Sequence, residues 1–335
     1  MTDAARGEVA RTAASFRDYF RILRLDHATK HVFIVPGIAL ALLLRGPAPN
    51  GSTGAVAVDV ALGFASAVLL ASANYAINEW LDRDFDRFHP EKAQRAAVQR
   101  EMSGGVVATI WAVLLGAGLW LASSVNAAFL MAALLFGLSG LTYNVSPIRT
   151  KDRVYADVLS ESLNNPIRLL LGWAMVDGTS LPPVSVVFAF WFGGAFLMNS
   201  KRLAEYRDIV ASDGVEVLHR YRRSFRRYTE NSLSVANLVY ALLCAFFLAI
   251  FLIKYRIEYI LVFPCVALLF AVYYALALAP GSVARKPEKL FRSRAVIASA
   301  AITAAVFVAT TFVDIPSLEH FTDQRFIELD GVAGR

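Results

Sequence analysis

The feature that most constrains this chain is a ladder of apolar runs, separated by short segments whose basic content alternates. A bilayer core is about 30 Å thick and takes about 20 apolar residues per helix. On that measure the candidate spans are 32–44, 54–78, 104–123, 126–143, 158–176, 184–200, 233–253, 259–279 and 295–313. Lys and Arg in the successive flanking segments number 6, 1, 5, 0, 3, 0, 8, 2, 5 and 2. Together with Arg168, inside the fifth run, these account for all 33 basic residues. Basic-rich and basic-poor segments alternate without exception. The positive-inside bias then places the N-terminus and the segments after spans two, four, six and eight in the cytoplasm. The acidic tail (Asp314, Glu319, Asp323, Glu328, Asp330) falls outside, as an odd number of spans requires.

Composition agrees. Of 335 residues 57% are apolar and 18% charged, with a mean hydropathy of +0.50, an excess that only a bilayer accommodates. The net charge of +6 is spread between apolar runs, which suits lipid phosphates and membrane orientation and argues against nucleic acid. Cys244 and Cys265 both lie in apolar runs, read as packing residues, and offer no disulfide or zinc framework. No secretory signal precedes the first run. Phe16, Phe20 and Leu23 recur among Arg17, Arg21 and Arg24, the pattern of an amphipathic helix at the interface; a disordered basic arm is the alternative. The expected fold is all-α, a polytopic membrane protein of about nine transmembrane helices around a central cavity. Residues 1–31 form a cytoplasmic segment, 32–313 the membrane domain and 314–335 a non-cytoplasmic tail.

Two polar motifs break this pattern. After the second span, Asn78, Asp82 and Asp86 stand at i, i+4 and i+8, on one stripe of a continuing helix. Three oxygen-bearing side chains in line call for a cation. Mg²⁺ suits them, because it takes few carboxylates and completes its shell with water and phosphate oxygens. Arg87, His89, Lys92 and Arg95 follow, where a phosphate could reach them. The plainer account is a solvated loop whose acids pair with Arg83 and Arg87. Against it, Asn78 lies inside the apolar run, where an idle polar group is costly.

The second motif opens the fifth run. Asp157, Glu161, Asn164 and Arg168 share one helical face, behind Arg149, Lys151 and Arg153. Each intramembrane charge costs about 2.5–3.5 kcal/mol on insertion scales, so four polar positions in line describe a cavity wall better than one ion pair. Mutual neutralisation of Glu161 and Arg168 is the structural alternative. On the topology above both motifs reach the same face and meet at one site, where Mg²⁺ and a diphosphate would fit. At the end of the sixth span, Lys201 and Glu205 are one turn apart, which is also how a surface pair is built. The basic loop beyond (Arg220, Arg222, Arg223, Arg226, Arg227) reads equally as a topology determinant beside anionic lipid.

With these motifs and spans the chain resembles the UbiA superfamily of intramembrane prenyltransferases. Asn78, Asp82 and Asp86 match that superfamily's N-D-x-x-D-x-x-x-D, with Glu79 in the second position. Asp157 and Glu161 stand for its second D-x-x-x-D. Within it, the stretches Asp86-Arg87-Phe-His89-Pro90-Glu-Lys92, Lys201-Arg202-Leu-Ala-Glu205, Arg227-Tyr228-Thr229, Lys286-Pro287-Glu288-Lys289 and Thr29-Lys30-His31 are similar to decaprenyl-phosphate phosphoribosyltransferases. The resemblance implies a Mg²⁺-dependent transferase of a bacterial plasma membrane. Asn78, Asp82, Asp86, Asp157 and Glu161 would hold the metal. Lys30, Arg87, His89, Lys92, Arg149, Lys151, Asn164, Arg168, Lys201 and Arg202 would bind substrate. The reaction it favours is phosphoribosyl transfer from phosphoribosyl pyrophosphate to a polyprenyl phosphate. The alternative is prenyl transfer from a prenyl diphosphate to an aromatic or other acceptor. A transporter would need polar groups deep in several helices and access from both faces, and most spans here carry almost none.

Overall fold

The computed structural model describes residues 12–46, 52–279 and 293–321. The 286–289 stretch, and Asp323, Glu328 and Asp330 of the tail, lie outside the described residues. Helix α1 (Phe16–Arg21) starts at Ser15, whose backbone and hydroxyl both donate to Asp18. Phe16 and Phe20 on it are 84% and 53% exposed, an outward apolar pair beside Arg17 and Arg21. A 3-10 helix, Leu25–Ile34, leads into α2 (Val35–Arg45). Then follow α3 (Thr53–Asp86), the short α4 (Ala96–Gln99), α5 (Gly104–Val125) and α6 (Ala127–Asn144). Helices α7 (Ala156–Ser162) and α8 (Asn164–Ala174) are joined at Leu163. The chain continues through α9 (Val184–Ser212), α10 (Val215–Tyr221), α11 (Glu230–Tyr255), α12 (Val262–Leu278) and α13 (Arg294–Phe312). The extended structure among the described residues is one two-residue parallel bridge, Thr12–Ala13 with Arg100–Glu101.

Among the described residues eight helical stretches are long and apolar enough to cross a membrane. The remaining expected span is the α7–α8 pair. It is broken at Leu163 and polar along one face, and α8 is buried nearly all round by α2, α6 and α9. This exception follows from its polar side chains, which need protein partners at membrane depth. Elsewhere the packing is that of a membrane bundle. Buried positions of α3 are small (Ala67, Ala71, Ala73, Ala76), while Val113, Trp120, Leu242, Phe246 and Phe312 point outward at 59–75% exposure. At the α2–α8 crossing the backbones touch. A Cβ on Gly37 would stand 2.1 Å from the Leu169 carbonyl oxygen, and one on Gly172 2.1 Å from that of Ile34. Helices α3, α5 and α6 pack together on one side and α9, α11, α12 and α13 on the other. The α7–α8 pair closes the gap between them. A chamber of about 870 Å³ lies at the centre.

Candidate functional site

The site stands on the two longest helices for a geometric reason. At 1.5 Å per residue, α3 is about 51 Å long and α9 about 43 Å, against about 30 Å of hydrocarbon. Their C-terminal thirds reach beyond the apolar runs at the same end of the bundle and carry Asp82 and Asp86 on α3 and Lys201, Arg202 and Glu205 on α9. The loop after α6 folds back over them. Arg149 (φ +27°) and Tyr155 (φ +62°) adopt left-handed backbone conformations there, strain that the surrounding contacts must hold.

Asp82 Oδ1 accepts from Arg149 Nη2 at 3.0 Å and lies 2.5 Å from Lys151 Nζ. Asn144 Oδ1 ties this group to α3, accepting from Lys151 at 2.7 Å and from Asn78 Nδ2 at 2.5 Å. Burial pushes the Lys151 ammonium down to about 8, with the Asp82 carboxylate acting in the other direction. Across the chamber, Glu161 Oε2 accepts from Arg202 Nη2 at 2.5 Å and from the Tyr143 hydroxyl at 2.9 Å. Arg202, 1% exposed, also reaches Glu205 at 3.3 Å. Asp86 accepts from Arg95 at 2.6 Å.

The chamber brings together most of the expected residues: Lys30, Asn78, Asp82, Asp86, Lys92, Arg149, Lys151, Glu161, Asn164, Arg168, Lys201 and Arg202 all line it. Three are placed differently. Asp157 is fully buried behind the wall, accepting from Tyr228 (2.7 Å), Ser224 (3.1 Å) and Arg222 (3.1 Å), with Arg202 at 3.5 Å. The i, i+4 spacing aligned it with Glu161, but the loop carrying Arg222 folds over its end of α7 and covers it. Arg87 is exposed over the Phe88 ring, and Arg153 is exposed with its guanidinium 3.4 Å from the Pro147 carbonyl oxygen. Neither lines the chamber. Glu205, read as half of a surface pair, is 2% exposed and faces Arg202, Lys92 and His89.

An adjoining cleft of about 450 Å³ is lined by Arg24, Lys30, His89, Lys92, Arg95 and Lys201, among others. His89 Nδ1 accepts from the backbone N–H groups of Glu91 and Lys92 at 3.1 and 3.2 Å, leaving Nε2 3.7 Å from Glu205. Burial lowers the His89 imidazole below its ordinary value. Lys92 contacts the Tyr221 hydroxyl and lies 3.7 Å from Glu205. Burial takes it down to about 7, while the Glu205 carboxylate opposes the fall. Arg24, Arg222 and Arg223 complete the cationic walls, the first read from its spacing as part of the basic face of an interfacial helix. Away from this end the lining turns apolar, through Phe190, Gly193, Leu197, Cys244, Leu248 and Phe270.

Among the described residues no three acidic, His or Cys side chains converge on a preformed metal cage. Mg²⁺ does not need one, since it is commonly held by one or two carboxylates together with water and substrate phosphates. The donor set fits that mode: Asp82 and Glu161 each keep one oxygen that accepts no hydrogen bond among the described residues, and both face the chamber.

A helical bundle with a lipid-facing surface, around a cationic chamber that opens into an apolar one, defines an integral membrane protein. Residues 33–300 match the UbiA prenyltransferase family, and the chain belongs to it. It is accordingly a transferase of that family. No curated protein sequence matches the chain. Among solved structures, a UbiA homolog from Archaeoglobus fulgidus bound to GPP and Mg²⁺ is similar at 21% identity and a TM-score of 0.64, over 88% of this chain and all of the other. The same homolog bound to DMAPP and Mg²⁺ gives 20% identity and 0.64, with the same coverage. A structure described for digeranylgeranylglyceryl phosphate synthase in membranes gives 17% identity and 0.57, over 88% of this chain and 96% of the other.

Proposed function

We propose that the protein transfers a phosphoribosyl group from phosphoribosyl pyrophosphate to a polyprenyl phosphate, with Mg²⁺, at the cytoplasmic face of a bacterial plasma membrane. One observation carries this reading: at its basic end the chamber continues into a cleft that shares Arg24, Lys30, Lys92, Arg95 and Lys201 with it and adds His89, so cations extend beyond the Arg149, Lys151 and Arg222 group. A reaction between two phosphorylated substrates needs two places for anions, whereas prenyl transfer to an uncharged acceptor needs one. The basic end of the bundle is cytoplasmic by the positive-inside bias, which gives a soluble, highly charged donor direct access.

Asp82 and Glu161, with Asn78 and Asp86 beside them, are the residues that would hold Mg²⁺, and Asp157 leaves that set. Bound Mg²⁺ supplies charge neutralisation at the departing pyrophosphate. Arg149, Lys151 and Arg222 hold the phosphate oxygens by charge-assisted hydrogen bonds. An oxygen of the lipid phosphate then bonds to the ribose anomeric carbon. The bond from that carbon to the pyrophosphate oxygen breaks, and the electron pair leaves with pyrophosphate. No proton need move when the acceptor arrives as a dianion. The apolar lobe takes the prenyl tail and limits water at the reacting carbon.

Prenyl transfer is the second reading, favoured by the GPP and DMAPP that the similar archaeal homolog binds. The test offers purified protein, in detergent with Mg²⁺, labelled phosphoribosyl pyrophosphate and polyprenyl phosphates of several lengths. EDTA-sensitive label in the lipid phase supports phosphoribosyl transfer. No incorporation, from a preparation that consumes a prenyl diphosphate with an aromatic acceptor, moves the protein to prenyl transfer.

A further inference from the structure

Arg168 keeps a charge where a charge is hardest to keep. Its residue is 7% exposed and lines the chamber. The guanidiniums nearer the basic end each have a carboxylate close by: Arg149 at 3.0 Å, Arg202 at 2.5 Å, Arg222 at 3.1 Å and Arg95 at 2.6 Å. No carboxylate among the described residues pairs with Arg168. It lies 5.1 Å from the centre of the Phe136 ring and is hydrogen-bonded to the neutral Tyr75 side chain. Nη1 makes a long 3.5 Å contact to the Asn164 carbonyl oxygen, and Nε has no partner.

Its depth is set by the helices. Arg168 comes seven residues after Glu161 along α7–α8, about 10 Å further from the basic end. Asn74 precedes Asp82 by eight residues of α3, about 12 Å, and its Nδ2 donates at 3.0 Å to the carbonyl oxygen of Phe136, the residue whose ring Arg168 faces. Asn74 Oδ1 is buried without a partner, and its space exists because position 140 is glycine: a Cβ there would lie 2.1 Å from that oxygen. Below this level the lining is apolar. A cation without a carboxylate partner therefore stands on the border between the cationic and apolar lobes.

We propose that Arg168, with Asn74 near it, is the site for the phosphate monoester of the lipid substrate, with its prenyl chain in the apolar lobe and the cationic lobe left to the soluble donor. The guanidinium pairs with the oxygens of the phosphate dianion. That this phosphate belongs to the acceptor rests on the phosphoribosyl reading above; that the site selects a lipid phosphate does not.

The experiment reads binding, not turnover. The wild type, Arg168→Gln and Asn74→Asp are titrated in detergent with a long-chain polyprenyl phosphate, the matching polyprenol, inorganic phosphate and Mg²⁺-pyrophosphate, and each protein's melting temperature is recorded. The wild type should prefer the lipid phosphate to the polyprenol. Arg168→Gln should lose about tenfold to a hundredfold of that preference, as expected for a hydrogen bond to a charged group. Its affinity for Mg²⁺-pyrophosphate should stay within about twofold, because that site lies a level higher. Asn74→Asp puts a like charge against the phosphate without removing the arginine, and should lower lipid-phosphate affinity at least about tenfold. An unchanged preference in Arg168→Gln, or a parallel loss of pyrophosphate binding, overturns the proposal. If Arg168→Gln does not fold, undiminished phosphate binding by a folded Asn74→Asp overturns it. Displacement of the lipid by inorganic phosphate at comparable affinity makes this a free-anion site and also overturns it. A protein that incorporates no phosphoribosyl label, yet shows the Arg168-dependent preference, refutes the reaction and keeps the site.

Discussion

Asp157→Asn keeps the shape of a fully buried side chain and removes its charge. In the structure that charge faces Arg222 at 3.1 Å and Arg202 at 3.5 Å, with Tyr228 and Ser224 completing its hydrogen bonds. Arg202 retains Glu161 and Glu205, so the loss falls on Arg222, for which Asp157 is the carboxylate partner. Removing one member of a buried pair costs about 3–5 kcal/mol. The asparagine still accepts from Tyr228, and Arg222 opens onto the chamber, which puts the expected loss near the lower limit, about 3 kcal/mol. For a chain of this size that is a fall of about 5 °C in melting temperature in detergent. The donor KM should rise as Arg222 loses its fixed position. The Mg²⁺ concentration for half-maximal activity should stay within about threefold, since even outer partners of a ligand cost about 10–100-fold when they matter to the metal. A variant with the wild-type melting temperature and a Mg²⁺ requirement raised more than about tenfold would refute this reasoning and return Asp157 to the metal.

Asp82→Asn removes a chamber-facing carboxylate and should lower turnover at least about 100-fold in a protein that still purifies as a folded species; wild-type activity would remove Asp82 from the mechanism. Lys92, brought down to about 7 by burial, is charged below that pH and neutral above it, so pyrophosphate affinity should weaken as pH rises from 6 to 8. Lys92→Gln should flatten that dependence, as read by titration calorimetry. Because an unfolded lysine holds its proton to about 10.4, the same group makes stability rise with pH between about 7 and 10. Gly37→Ala drives a methyl into the Leu169 carbonyl, a backbone atom that cannot turn aside, and should cost at least about 1–3 kcal/mol in thermal unfolding. An alanine variant of unchanged stability would show that α2 and α8 do not need this approach.

The division between what could and could not be read from the chain follows the range of the interactions. Span positions are written in local hydropathy, and the bundle follows them wherever a helix meets lipid. The exception is 158–176, where Glu161, Asn164 and Arg168 interrupt the apolar run. Their spacing announced a polar wall, but not that the helix carrying them would be enclosed by protein. Asn78, Asp82 and Asp86 were legible because a single helix fixes their mutual placement. Asp157 and Glu161 share a face by the same rule, yet one lines the chamber and the other is sealed, because Arg222, Ser224 and Tyr228 arrive from more than sixty residues away. Arg24 reaches the same chamber from before the first span, although its spacing with Arg17 and Arg21 read as the basic face of an interfacial helix. The charge pattern makes the same point in energetic form. Each carboxylate at the basic end meets a cation brought in by another segment, so the site is assembled by tertiary pairing. Arg168 is the residue that pairing leaves without a carboxylate among the described residues; Tyr75 and the Asn164 carbonyl oxygen are neutral partners, and on the proposal above the balancing anion is the substrate's phosphate.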